Sequence, residues 1–378
     1  MQPPQSEEET EMKRNQDKCI GSHIGAAIGD AMGGPVESSH YKRIKRDCGE
    51  ITGLVPYDET YMLRERLERE GGPFFPGYAL HGEQGSITDD TFCRKDMANF
   101  VIEHPGDRTP EMLANWLLEN AELDTQWPQI MLPVLERIRN GEVEAATAGE
   151  TAKQGGGIGW WFPFGIVHAG NPEAAAEEAR RLSAIWKAPL ERDFVAAVVA
   201  GIAEALKDDA TWQSVRDAML TQCGPLARKL LERAIRIAGA ATDTWDLAER
   251  LYSEVLISET AHIWEITPDD PPTAHDAPLP PVHPPLDDSD VSYTTYFFAE
   301  QIPLAMAAFV YAKGEVSAIP VCVNLGRDCD TTGTLVGALV GALHGESALP
   351  TEWVEAVCEA NKAEIDLRDQ AERLATAG

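Results

Sequence analysis

Basic residues are scarce: Lys and Arg total 32 against 62 Asp and Glu, a formal net charge of −30. Nucleic-acid polymers and anionic membrane surfaces need a basic footprint, so this balance disfavours both as partners. Long apolar runs are lacking too. The most apolar late stretch, TLVGALVGALHG at 334–345, falls well short of the roughly 20 residues a spanning helix needs. The opening MQPPQSEEETEMKRNQ has no apolar core of a secretory signal, and residues 1–16 are expected to be a disordered tail. Seven cysteines, Cys19, Cys48, Cys93, Cys223, Cys322, Cys329 and Cys358, form no CxxC pair. An odd, scattered set points to reduced thiols and a cytoplasmic protein. The nine histidines show no metal-ligand spacing, and neither a GxSxG elbow nor a Walker-type loop is present.

What is present is helix. Ala-, Leu- and Glu-rich segments at 109–123, 128–140, 173–186, 192–207, 211–221, 225–240, 244–257, 298–313 and 352–375 predict an all-α protein, with residues 17–378 as one domain. Before EAAAEEARRL stands GNP, a helix start with Asn171 as cap and Pro172 in the first turn. Residues 267–290 carry eight prolines and can be neither helix nor central strand, so they read as a long loop.

Two segments carry glycine every four residues: Gly21, Gly25, Gly29, Gly33, and Gly333, Gly337, Gly341, Gly345. Glycine in a helix interior costs up to about 1 kcal/mol against alanine. A stripe at this spacing lets another backbone approach on that face, so both segments are expected to be tightly packed central helices, each a candidate partner for the other.

Chemistry concentrates in two short stretches. GSITDDTF at 85–92 and NLGRDCDTTG at 324–333 each place paired carboxylates and a hydroxyl where a glycine-containing loop meets a helix. Carboxylates favour the positive end of a helix dipole, which explains one Asp at each place and explains four poorly. Hard divalent cations want oxygen ligands. Four Asp and two Thr oxygens can hold two such ions, and the set lacks the Cys and His of structural zinc and the spacing of an EF-hand.

These stretches carry a resemblance. GAAIGDAMGGPVE (25–37), TDDT (88–91), GGGIGWWFPFGIVHAGNPEAAAEEA (155–179) and NLGRDCDTTG (324–333) occur in the order found in the ADP-ribosylglycohydrolase family. The resemblance implies an all-α, orthogonally packed fold and a centre of two Mg²⁺ ions, or Mn²⁺, held by Thr88, Asp89, Asp90, Asp328, Asp330 and Thr331. It implies hydrolysis of the glycosidic bond of an ADP-ribosyl group on a protein side chain or small molecule. Glu37, Asp89 and Asp328 are then the catalytic carboxylates, with Asp30 supporting them. Gly155, Gly156 and Gly157 are expected to cradle the diphosphate through backbone N–H groups. The central loop departs from the family's usual pattern: Trp160 and Trp161 stand around its Met-Arg, flat surfaces suited to stacking on a base or hydrophobic leaving group. Arg327 is expected to add a cation beside the metals. A nucleoside-like glycoside as substrate, or a non-catalytic ADP-ribose-binding or immunity protein, are the alternatives.

Overall fold

The computed structural model describes residues 7–37, 39–56, 83–123, 126–128, 131–150, 157–255 and 298–377. Sixteen α-helices and a single two-stranded pairing make up the regular structure among them. The chain runs through α1 (Glu7–Gly33), β1 (Ser39–His40), α2 (Tyr41–Asp47), α3 (Asp89–Glu103), α4 (Pro110–Asn120), α5 (Leu132–Arg139) and α6 (Phe162–Val167). It continues through α7 (Pro172–Leu182), α8 (Pro189–Ala205), α9 (Trp212–Gln222), α10 (Pro225–Ala240), α11 (Thr244–Glu254) and α12 (Phe298–Tyr311). It ends with α13 (Ala318–Asn324), β2 (Gly326–Arg327), α14 (Cys329–His344), α15 (Thr351–Ala360) and α16 (Leu367–Ala375). This is the all-α architecture expected. No helix among the described residues is long and apolar enough to cross a membrane.

The two glycine stripes face each other. A Cβ built on Gly29 would sit 1.9 Å from the Gly333 carbonyl oxygen, one on Gly25 2.4 Å from that of Gly337, and one on Gly21 2.6 Å from that of Gly341. The partners run in opposite directions, so α1 and α14 are antiparallel with their backbones in contact. Van der Waals attraction over that seam replaces side-chain interdigitation. Gly33 meets Asp330, its Cβ position 2.4 Å from the Asp330 Cα. Gly345 ends α14 at φ +86°, a left-handed conformation suited to glycine. The seam therefore joins the helix that runs toward Glu37 to the helix that begins at the closing acidic motif. Every residue of α14 from Cys329 to Leu343 is buried, and most of α8 lies beside it in the core.

Local signals set the helix ends. Asn171 accepts from the Ala174 N–H at 3.2 Å with Pro172 in the first turn of α7, as the sequence indicates. Helix α1 begins at Glu7, inside the segment expected to be a disordered tail, because Glu, Met, Lys and Arg there are good helix formers continuous with the buried part. The 352–375 segment is two helices, α15 and α16, broken after Ala360. Asn361 turns inward at the break: its Nδ2 donates to the Gly85 carbonyl at 2.8 Å and its Oδ1 accepts from the Ile87 N–H at 3.1 Å. The proline-rich stretch 267–290 lies outside the described residues.

One small pairing bears on the site. Ser39 and His40 of β1 run antiparallel to Arg327 and Gly326 of β2, tying the segment after Glu37 to the segment before Asp328. The Tyr252 hydroxyl, from α11, accepts from the Tyr41 N–H at 3.3 Å and donates to the Leu325 carbonyl at 2.8 Å, holding both sides.

Candidate active site

Thr88 caps α3, its Oγ1 accepting from the Asp90 N–H at 3.3 Å. Asp30, fully buried on α1, accepts from two more donors of that end: the Thr88 N–H at 3.1 Å and the Thr91 N–H at 3.1 Å. Asp30 thus supports the motif from behind, as expected of it. Asn361 holds the chain just before Thr88, so the TDDT turn is fixed on both sides.

The N-terminus of α14 meets that of α3. Thr88 Oγ1 donates to Asp330 Oδ2 at 3.2 Å, and Thr331 Oγ1 donates to Asp90 Oδ2 at 2.5 Å. These crossed bonds join residues more than 240 positions apart and leave Asp90 Oδ1 and Asp330 Oδ1 buried without a hydrogen-bond partner. Asp328 occupies the N-cap position of α14, yet its side chain makes no capping bond. Helix capping therefore does not account for it. Glu37, Asp328 and Asp330 each offer a carboxylate oxygen within 4.8 Å of the others, and all three are buried. Thr88, Asp90, Asp328, Asp330 and Thr331 are buried and converge; Asp89 is half-buried at the same helix end.

So much negative charge out of water is unfavourable without a counter-charge. Burial, then repulsion from Glu37 and neighbouring Asp residues, pushes Asp328 and Asp330 well above the usual carboxylate range. Burial and the Asp90 charge do the same to Asp89. Asp90 is pushed up to about 7, by burial and then by Asp30, against the opposing Thr331 hydrogen bond and Arg94 charge. Arg94, fully buried one turn into α3, donates to Thr91 Oγ1 at 2.9 Å and lies near Asp30 and Asp90. One buried guanidinium does not balance this set. An all-oxygen donor group with orphaned carboxylate oxygens fits hard divalent cations.

The aromatic and cationic expectations come out differently. Trp160 and Trp161 are 1% and 0% exposed. The Trp160 ring packs 4.8 Å from Trp127 and 6.0 Å from Trp186, and Trp161 lies 6.4 Å from Trp186. Both rings are thus buried in an aromatic cluster, the packing that a core role requires. Arg327 is 2% exposed and its Nε pairs with Glu300 Oε1 at 2.7 Å. This buried ion pair gives its guanidinium, directly before Asp328 in the chain, a carboxylate partner on α12. Gly157 opens the short helix Ile158–Trp161 at φ +72°; Gly155 and Gly156 lie outside the described residues. Gly159 packs against the site, a Cβ there falling 3.2 Å from Asp90 Oδ1.

Several supporting residues escaped the sequence reading. Arg94 lies four positions after Asp90, a spacing that places both on one helix face, so that signal was available. Asn361 was hidden inside an apparently continuous helix. Glu300 and Gln301, at the start of α12, had no signal beyond being polar in an Ala-rich run.

The family model for ADP-ribosylglycohydrolase matches residues 11–378, and the chain belongs to that family, whose fold and members mark a glycosidase-like hydrolase. Over 382 residues, 96% of each chain, it is 24% identical to the uncharacterized protein YegU of Escherichia coli (strain K12). A shorter match, 34% identical over 65 residues, 14% of this chain and 19% of the other, is to ADP-ribosylhydrolase ARH3 of Xenopus tropicalis. Among solved structures it is similar in fold to an ADP-ribosylglycohydrolase-related protein complex, with a TM-score of 0.57 and 20% identity, covering 96% of this chain and 98% of that one.

Proposed function

We propose that this chain is a divalent-metal-dependent hydrolase that cleaves the glycosidic bond of an ADP-ribosyl group. Thr88, Asp89, Asp90, Asp328, Asp330 and Thr331 would hold two ions, Mg²⁺ or Mn²⁺, with Glu37 beside them. The observation that carries this reading is the meeting of two helix N-termini whose buried carboxylates keep oxygens without hydrogen-bond partners. Such ions, when bound, polarise hydroxyls and activate water near neutral pH.

The chain's own residues do the rest. Cleavage at the anomeric carbon passes through an oxocarbenium-like state with positive charge on the ribose ring. Glu37, within reach of Asp328 and Asp330, is placed to take a proton from the attacking water or to face that positive charge. The crossed Thr88–Asp330 and Thr331–Asp90 bonds keep the two helix ends in register, so the ribose hydroxyls meet a preformed surface. The diphosphate is assigned, from sequence, to the backbone N–H groups of Gly155–Gly157.

Release of ADP-ribose from ADP-ribosylated arginine, ADP-ribosylated serine and simple ribosides, with and without Mg²⁺ or Mn²⁺, tests the proposal. Metal-dependent turnover of an ADP-ribosyl substrate is expected, abolished in Asp330→Asn. Turnover of simple ribosides alone would replace the substrate assignment. Hydrolysis indifferent to chelator would refute the metal dependence.

A further inference from the structure

The first turn of α12 grips the closing acidic motif with two adjacent side chains. Glu300 and Gln301 are 0% and 1% exposed. Glu300 pairs with Arg327, and Gln301 Nε2 donates to Asp328 Oδ2. Consecutive residues of one helix thus hold consecutive residues of the loop that enters α14.

The chemistry of the Gln301 contact is specific. The Asp328 carboxylate also faces the acidic groups of Glu37, Asp330, Asp90 and Asp89 and the Thr331 hydroxyl. A Lys or Arg in place of Gln301 would orient the carboxylate but neutralise it, competing with a cation for its charge. A Glu would add repulsion. A primary amide donates one N–H while leaving the negative charge in place. The amide's orientation follows from the same reasoning, because the reverse flip would set its carbonyl against a carboxylate oxygen. Its Oε1 is buried without a hydrogen-bond partner among the described residues, so the Nε2 bond is what sets the side chain.

We propose that Gln301 is a positioning residue for Asp328, fixing the carboxylate's rotation so that its charge points to a divalent cation. This rests on the metal reading of the site. Hydrogen-bond partners of ligating carboxylates typically contribute about 10–100-fold to metal affinity or activity.

The test is Mn²⁺ binding by calorimetry to the full chain, beside hydrolysis as a function of Mn²⁺ concentration. Gln301→Met keeps the bulk and removes the amide. It is expected to bind Mn²⁺ about 10–100-fold more weakly, with hydrolysis recovering toward wild type at saturating Mn²⁺. In an Asp328→Asn background the same change is expected to add little, since the carboxylate it orients is gone. Equal losses in both backgrounds, or Mn²⁺ affinity within about twofold of wild type, would overturn the inference while leaving the metal reading intact. Wild-type protein that binds no Mn²⁺ would overturn the metal reading itself. If Gln301→Met fails to fold, Gln301→Leu, which also lacks the donor and adds no charge, carries the same comparison.

Discussion

Replacing Gly337 by alanine sets two effects of opposite sign against each other. Helix propensity alone favours alanine by up to about 1 kcal/mol in a helix interior, so an unpacked helix would gain. Here the new Cβ would lie 2.0 Å from the Gly25 carbonyl oxygen and 2.7 Å from its carbon, where ordinary contact begins at 3.4 Å. The obstacle is backbone, so no rotamer change relieves it, and α1 must retreat by about an ångström or more. That retreat opens the seam at Gly21–Gly341 and Gly29–Gly333. Overpacking costs typically about 1–3 kcal/mol, occasionally more. A rigid obstacle belongs at the upper end, so a net loss of about 2–3 kcal/mol is expected after the propensity gain. At roughly 1.3 °C per kcal/mol for a chain this large, Tm should fall by about 3–4 °C, read by circular dichroism. Gly239→Ala in α10, where a Cβ meets nothing within 4 Å, is the control and should match or exceed wild type. A Gly337→Ala protein melting at or above wild type would refute the packing argument.

Glu37→Gln should lower kcat by about 10²–10⁴-fold at saturating Mn²⁺, as expected for a general acid–base group; a rate within roughly threefold would leave Glu37 without a chemical role. Trp160→Ala should destabilise by about 3–5 kcal/mol, the cost of a large cavity, with the preference among substrates unchanged. A folded, stable variant with altered substrate preference would restore the stacking role instead. Asp96, buried and accepting from Trp127 Nε1 at 2.7 Å, is lifted from 3.8 to about 6, chiefly by burial. Its folded-state pKa is raised, so its stabilising contribution is present below about pH 4 and lost as pH rises through about 6, a swing of about 3 kcal/mol. Asp96→Asn should therefore gain most over wild type at pH 8 and little at pH 4, in urea midpoints measured at both. An equal difference at the two values would show that Asp96 is ionised throughout.

Much of the architecture follows from short-range features that a chain displays without folding. The four-residue glycine spacing implies a face open to another backbone, and the Asn171–Pro172 start and the Thr88 cap act through bonds only two or three residues long. The two acidic motifs were legible for the same reason: four carboxylates at two helix starts exceed what capping needs. Which partner each side chain meets is a different matter. Trp160 and Trp161 look alike in sequence whether they line a pocket or fill a core, and only the arrival of Trp127 and Trp186 covers them. Arg327 adjoins Asp328 in the chain with a left-handed backbone, φ +68°, and nothing in the sequence announces its pairing with the buried Glu300 carboxylate. Asn361, inside a segment that reads as unbroken helix, reaches Gly85 and Ile87 across more than 270 positions. Gln301 reaches Asp328 only because α12 lies against the start of α14. Periodicity and caps are set by neighbours along the chain, whereas these pairings depend on where separate helices come to rest.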